Sequence, residues 1–377
     1  MTRGAGLGRA VVRLAGVAGL AFGLWFLFDL LSTSWANGTL GYDYRAYDLA
    51  VDRLFAGQPL YDATATEFGP FGLFFYPPPF ALLVAPVALL PIDAAIWTWT
   101  ALLILASVLT VLALPVSRGV RAAMLVLAVL SWPLLFSIKL GQVGPIVLLL
   151  FALGWRWLDR PVPLGLSMGL GTVIKIQPAL LIGWAAVTGR RRAALVGAVV
   201  VGLLAVLATV VAGPQSWFEE VSLLGRVSRP IDTPHTFGIG RLAFEAGATF
   251  QVATVLHWAN LALVALVVLF TVWRGNAVAS YLAVAVATQF LSPVLWDHYA
   301  VVLLLPVAWL LERRRWWAAL IPLATSTPLT LLGVGVPWLY PIAFWLTLLA
   351  LAWEGMRESR SRARSEARFG PGFVPAR

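Results

Sequence analysis

The sequence predicts an all-α polytopic membrane protein. Three observations carry that expectation: 60% of the 377 residues are hydrophobic while 12% are charged, the mean hydropathy is +0.86, and long apolar runs recur from end to end. Soluble domains are about 45–50% apolar and about 25% charged, so halving the charge while lengthening the apolar runs makes lipid the solvent. A soluble enzyme is excluded on that ground. The chain has no cysteine, which removes disulfides, thiolate nucleophiles, iron–sulfur clusters and cysteine-ligated zinc. Its three scattered histidines do not suggest a metal site. The formal charge of +10 would point to nucleic acid in a soluble protein. Here it reads as membrane topology, and no nucleic-acid partner is expected.

A run of roughly 17–25 apolar residues crosses a bilayer as a helix, and shorter runs cross where neighbours thin or shield the path. Twelve crossings are predicted, near 11 to 31, 94 to 114, 120 to 138, 144 to 158, 162 to 175, 178 to 189, 193 to 212, 252 to 273, 277 to 291, 299 to 311, 316 to 333 and 338 to 353. Basic residues near helix ends stay cytoplasmic. With Arg3, Arg9 and Arg13 inside, the connections holding Arg118/Arg121, Arg156/Arg160, Arg190 to Arg192, Arg274 and Arg313 to Arg315, and the Arg-rich tail, all fall inside as well. The opposite connections are longer or more acidic, and all fall outside. Both termini are therefore expected in the cytoplasm. The first segment starts basic, like a secretory signal, but its apolar core is long and no small-x-small site follows at Ser32-Thr33-Ser34-Trp35. It is expected to stay as an uncleaved helix.

The membrane domain is expected to span residues 1–355, with a first outer loop at 32–75 and a second at 213–250. The segment 76–91 opens with Tyr76-Pro77-Pro78-Pro79 and cannot be an added crossing without placing Arg190 to Arg192 outside. It reads as a re-entrant or interfacial helix with Pro78 and Pro79 in its first turn, where missing N–H donors cost little. The alternative is a true crossing with two of the short segments around 144 to 189 fused. The tail 356–377 is rich in Arg, Ser, Gly and Pro and is expected to be disordered and suited to anionic lipid. The two halves show no internal repeat.

Ionisable residues at membrane depth are functional candidates by default. Helix interiors here are nearly free of charge, whereas Asp43, Lys139, Lys175, Asp297 and His298 sit on outward turns or outer helix ends. They suggest one site on the outer face. In the first outer loop, apolar positions 47, 50, 51, 54 and 55 follow helical spacing before Gly57 and Pro59 stop it. Asp48 and Asp52 lie on its polar face, with Arg45 three residues before Asp48, and read as surface groups. Asp43 stands where an N-cap would, and capping is its simplest role on spacing alone. Lys139 and Gln142 can be interfacial anchors, with Lys139 snorkelling to headgroups. Lys139 and Lys175 are the two lysines of an otherwise arginine-based chain. A retained Lys175 fits either snorkelling or a compact ammonium holding a phosphate. His298 beside Asp297 can donate to an anionic oxygen or be a plain interfacial histidine. No P-loop, GxSxG elbow, HExxH or DxD pair is present.

Taken together, Asp43-Tyr44-Arg45-Ala46-Tyr47, Gly57-Gln58-Pro59-Leu60-Tyr61, Phe75-Tyr76-Pro77-Pro78, Leu140-Gly141-Gln142, Lys175-Ile176-Gln177-Pro178 and Leu291-Ser292-Pro293 through Trp296 and His298 resemble glycosyltransferase family 87. That family includes alpha-(1→2)-mannosyltransferases that use polyprenyl-phosphate mannose. The resemblance implies a GT-C membrane fold, an extracytoplasmic active site, a polyprenyl-phosphate sugar as donor substrate with no cofactor or metal, and a glycolipid or glycan acceptor in the membrane. It implies Asp43 as general base and makes Lys175 and His298 candidates for the donor phosphate. Arg45, Tyr76, Lys139, Gln142, Gln177 and Asp297 are further substrate-binding candidates. Direct displacement of the phosphate would invert the anomeric centre. The alternatives are an arabinofuranosyltransferase of the same fold or, in a different class, a secondary transporter or lipid flippase. Transporters tend to show paired repeats and midplane polar groups, and neither is evident here.

Overall fold

The computed structural model describes residues 2–62, 64, 71–330 and 335–369. Among the described residues every regular element is helical. The helices are α1 (Thr2–Ala36), α2 (Tyr42–Phe55), α3 (Pro78–Ala88), α4 (Ile92–Ala113), α5 (Arg118–Val129), α6 (Trp132–Leu140), α7 (Gly144–Arg156), α8 (Pro161–Ile174), α9 (Ala179–Val187), α10 (Arg191–Ala212), α11 (Gln215–Val227), α12 (Ile239–Glu245), α13 (Phe250–Arg274), α14 (Ala277–Phe290), α15 (Leu304–Glu312), α16 (Leu320–Ala324), α17 (Thr327–Thr330) and α18 (Leu339–Phe369). Short 3-10 turns at Asp297–Leu303 and Trp316–Ala319 lead into α15 and α16.

Five helices are long and apolar enough to cross a membrane alone: α4, α10, α13, Arg13–Ala36 within α1 and Leu339–Ser365 within α18. Helices α5 and α6 make a sixth span, bent by 57°. The chain is thus a multi-pass membrane protein. Five or six full-length spans stand where twelve crossings were expected, because several apolar runs are shorter or broken as helices. The run at 120 to 138 bends at Leu130 and Ser131, just before Pro133 in the first turn of α6. The run at 316 to 333 divides into a 3-10 turn, α16 and α17, and its last three residues lie outside the described residues.

The core sits at the middle of the bundle. Every residue of α14 from Ala279 to Phe290 is buried, as is every residue from His298 to Leu311. Helices α1, α10 and α13 surround this centre and leave Phe28, Leu203 and Leu266 exposed. An apolar surface of that kind suits hydrocarbon rather than water. Helices α8 and α10 approach closely through small residues. A Cβ at Gly165 would lie 2.6 Å from the Ala193 carbonyl, and one at Gly169 would lie 2.9 Å from that of Gly197. Backbone-to-backbone packing of this sort replaces the hydrophobic drive that lipid removes.

Two expectations need comment. Segment 76–91 forms α3, with Pro78 and Pro79 in its first turn. Its 11 residues reach about 16 Å at 1.5 Å per residue, short of the ~30 Å hydrocarbon core. The tail, by contrast, is not disordered from residue 356: α18 continues to Phe369. No proline or glycine interrupts it between Met356 and Phe369, and its first turns past the span are tied down. Glu358 pairs with Arg313 at 2.6 Å and Glu354 with Arg315 at 2.8 Å. Residues 370–377 of the expected tail lie outside the described residues, as do the side chains of Arg3 and Arg9.

Candidate active site

The site is assembled where the segment joining α1 to α3 meets the turn between α6 and α7. Gly41, in the left-handed region at φ 73°, is the N-cap of α2, and no side chain caps the helix. Asp43 therefore stands inside the first turn, and the capping role expected for it is not what the carboxylate does. The Gly41 N–H donates to the Lys139 carbonyl at the end of α6, at 3.0 Å. From α4, the Trp99 indole donates to the Gly141 carbonyl at 2.8 Å. Gly141 has φ 74°, and a Cβ there would lie 2.8 Å from the Tyr44 Cβ. Only glycine gives both the conformation and the room. The result is that Gln142 is set beside Asp43.

A buried hydrogen-bonded chain follows. The Tyr47 hydroxyl donates to the Tyr76 hydroxyl at 2.8 Å, which donates to Gln142 Oε1 at 2.6 Å. Gln142 Oε1 also accepts from the Val143 N–H at 2.8 Å. Gln142 Nε2 donates to Asp43 Oδ2 at 3.0 Å and lies 3.3 Å from His298 Nε2. On the far side of the ring, His298 Nδ1 is 3.5 Å from Asp297 Oδ1, which itself accepts from the His298 N–H at 2.7 Å. Asp297 Oδ2 accepts from the Trp132 indole at 3.3 Å. Tyr61 fastens the first loop to the start of α3 by donating to the Tyr76 carbonyl at 2.6 Å.

Lys175 lies in the connection between α8 and α9, with Nζ 3.8 Å from the centre of the Tyr299 ring. It shares a cavity of about 20 Å³ with Gln142, Gln289, His298 and Tyr299, which is room for about one water. Burial pushes the Asp43 carboxyl up to about 6, against the opposing pull of His298 in its protonated form, of Lys175 and Lys139, and of the Gln142 hydrogen bond. Burial likewise pushes the Lys175 amine down to about 7, with Asp43 opposing it. The buried carboxylate and the buried ammonium are thus both drawn toward neutrality, and a carboxylate near 6 is ionised yet basic at neutral pH.

Of the residues singled out in the sequence, Asp43, Tyr76, Gln142 and His298 meet directly, and Asp297 joins them through His298. Lys139 is close enough to act electrostatically on Asp43 and stands 5.8 Å from the Phe136 ring centre. Arg45 acts on Asp48 instead. Gln177 does not line the cavity, and its buried Oε1 has no hydrogen-bond partner among the described residues. Sequence reasoning missed Tyr47, Tyr61 and Tyr299. The available signal was scarcity, since the chain has eight tyrosines against 20 phenylalanines and several fall in or beside the quoted motifs.

The profile of glycosyltransferase family 87 matches residues 74–295, more than half of the chain. The chain belongs to glycosyltransferase family 87. Family membership makes it a glycosyltransferase and sets aside the transporter reading. The matched stretch holds Tyr76, Lys139, Gln142 and Lys175, while Asp43 and His298 flank it. The chain is 28% identical, over 336 residues, to a polyprenol-phosphate-mannose-dependent alpha-(1-2)-phosphatidylinositol mannoside mannosyltransferase of Mycobacterium tuberculosis, covering 78% of this chain and 75% of that one. It is 30% identical to a polyprenol-phosphate-mannose-dependent alpha-(1-2)-phosphatidylinositol pentamannoside mannosyltransferase of Mycolicibacterium smegmatis, covering 81% and 78%. A pentamannoside mannosyltransferase of M. tuberculosis is 27% identical, covering 72% and 65%.

Proposed function

We propose that this glycosyltransferase moves mannose from a polyprenyl-phosphate donor to a hydroxyl of a lipid-linked or glycan acceptor, on the extracytoplasmic face of a GT-C-type fold. The observation that carries the reading is the convergence of one carboxylate, Asp43, with Gln142, His298 and Lys175 from three separate parts of the chain. The relatives' names supply the donor and the sugar.

In this reading Asp43 takes the proton of the acceptor hydroxyl as its oxygen attacks the anomeric carbon. The bond from that carbon to the phosphate oxygen breaks, and polyprenyl phosphate leaves with the electron pair. Attack opposite the leaving group inverts the centre. Lys175, together with His298, faces the phosphate, and the ammonium offsets charge as it develops. Fixed charges in a site shielded from water act more strongly than they would in bulk solvent. The charge distribution supports the orientation, since the arginine-rich connections gather at the opposite ends of the helices from Asp43.

The test is reconstitution of the purified protein with polyprenyl-phosphate mannose or polyprenyl-phosphate arabinose and a panel of phosphatidylinositol mannosides. Mannose transfer with an inverted linkage, lost in Asp43→Asn, is the expected result. Transfer of arabinose alone would replace the sugar assignment. Full turnover by Asp43→Asn would remove Asp43 from the role of base.

A further inference from the structure

The orientation of the Gln142 side chain is fixed by a group that has no choice of role. The Val143 backbone N–H can only donate, and it lies 2.8 Å from Oε1. Turning the carboxamide over would set Nε2 against that N–H, donor to donor. The Tyr76 hydroxyl already receives the Tyr47 proton and so directs its own to Oε1 as well. Both amide hydrogens are then left for the other side, where Asp43 Oδ2 and His298 Nε2 stand at 3.0 and 3.3 Å. An imidazole nitrogen that receives an N–H bond bears a lone pair, so the ring proton belongs on Nδ1, which faces Asp297.

The same bond separates the two oxygens of Asp43. Among the described residues Oδ2 is hydrogen-bonded and Oδ1 is not. Oδ1 points at Gly72, where a Cβ would lie 2.8 Å from it. The bare backbone at residue 72 is what leaves Oδ1 open on that side.

We propose that Gln142 is a positioning residue: it holds His298 as the neutral tautomer protonated on Nδ1, and it occupies Oδ2 of Asp43 so that Oδ1, beside Gly72, receives the acceptor's proton. The assignment of Oδ1 rests on the reading of Asp43 as the base; the state of His298 does not. Positive charge at the donor phosphate then falls to Lys175, because His298 has its Nε2 lone pair turned to Gln142 and its Nδ1 proton turned to Asp297. The charged and titratable groups acting on Asp43 are His298, Lys175 and Lys139, with Tyr42, Tyr47, Tyr76 and Tyr299 also within electrostatic reach. Those at His298 are Asp43, Asp297 and Tyr299, with Lys175 lining the same cavity.

With three histidines in the chain, ring-nitrogen NMR on ¹⁵N-histidine-labelled protein, assigned with His298→Asn, reads the tautomer in the resting enzyme. The expected spectrum at neutral pH has His298 uncharged with its proton on Nδ1. Gln142→Glu keeps an acceptor for Val143 and Tyr76 but turns a second acceptor toward Asp43 and His298. It should move the His298 proton to Nε2 or charge the ring. It should also raise the acid limb of kcat/KM by about one pH unit, about a tenfold loss well below the limb. Gly72→Ala should lower kcat/KM for the acceptor at least about tenfold while leaving polyprenyl phosphate binding unchanged. A wild-type His298 carrying a proton on Nε2, or a Gln142→Glu protein with wild-type His298 signals and acid limb, would overturn the proposal. A fully active Gly72→Ala would remove Oδ1 as the reacting oxygen. If Asp43→Asn kept its activity, the base reading would fail while the tautomer result stood by itself.

Discussion

Two clusters of charge in the bundle are held in opposite ways. Where α15 meets α18, arginines find carboxylates: Arg313 with Glu358, Arg315 with Glu354, and Arg357 with Glu354. Glu312 accepts from the Ser117 N–H and hydroxyl. At the Asp43 end, Asp43, Lys139 and Lys175 form no ion pair with one another among the described residues, and both lysines rest over aromatic rings. Groups already paired can do little but hold structure. Charges kept partly desolvated and apart retain the free energy that a phosphate or a reacting hydroxyl can draw on.

The largest break in this contrast comes from removing the carboxylate. Asp43→Asn should cost on the order of 10²–10⁴ in turnover while the thermal midpoint changes little, as measured by product formation and by unfolding in detergent. Next comes Lys175→Ala, expected to lower turnover on the order of 10²-fold, the scale of losing one electrostatic stabiliser. Donor titration should show a raised KM.

The pH profile sharpens the comparison without a mutation. As pH rises, kcat/KM should climb as Asp43 ionises near 6 and fall as Lys175 loses its proton near 7. A profile that stays flat from well below 6 to well above 7 would detach both groups from catalysis.

Glu220 tests whether any unpaired charge at this end is functional. It is buried on α11, its Oε1 lacks a partner among the described residues, and burial pushes its carboxyl from 4.5 to about 7. A raised carboxyl means the folded state holds the proton more tightly. Its favourable share is complete below the unfolded value and is lost as pH rises through about 7. Glu220→Gln should therefore stabilise the protein above pH 7 by on the order of 3 kcal/mol and have no effect near pH 4, read as the difference in melting temperature. The smallest effect is expected at the paired end. Arg313→Ala should leave turnover intact and cost about 1 kcal/mol or less of stability.

Much of this was legible locally. The runs at 94 to 114, 193 to 212 and 252 to 273 became α4, α10 and α13, because a span must be apolar over its whole length and little can disguise that. The periodicity of the first outer loop became α2, burying Tyr47, Ala50 and Val51 as spaced. The break at Ser131 was harder to see, since one serine and one proline are weak signals inside an apolar run. The continuation of α18 depends on Arg313 and Arg315, about 40 residues away in sequence. Asp43 was legible as a residue that mattered but not in its contact: Gln142 lies 99 positions away, and Tyr47 and Tyr61 join the site through Tyr76. Contacts across such separations depend on how helices are packed, which no local spacing records.

The short helices beneath the site have a consequence for depth. Helices α7, α8 and α9 run between the arginine-rich turns and the site with 13, 14 and 9 residues. At 1.5 Å per residue they reach about 20, 21 and 14 Å, against a hydrocarbon thickness of about 30 Å. On the proposed topology, with the arginines at one headgroup plane, the turn bearing Lys175 would stop about 10 Å short of the other. A donor phosphate bound there, as proposed, would be met from within the leaflet, with the prenyl chain still in hydrocarbon. Lifting that chain into water would cost about 0.8 kcal/mol for each CH₂ exposed, and a sunken site avoids the climb.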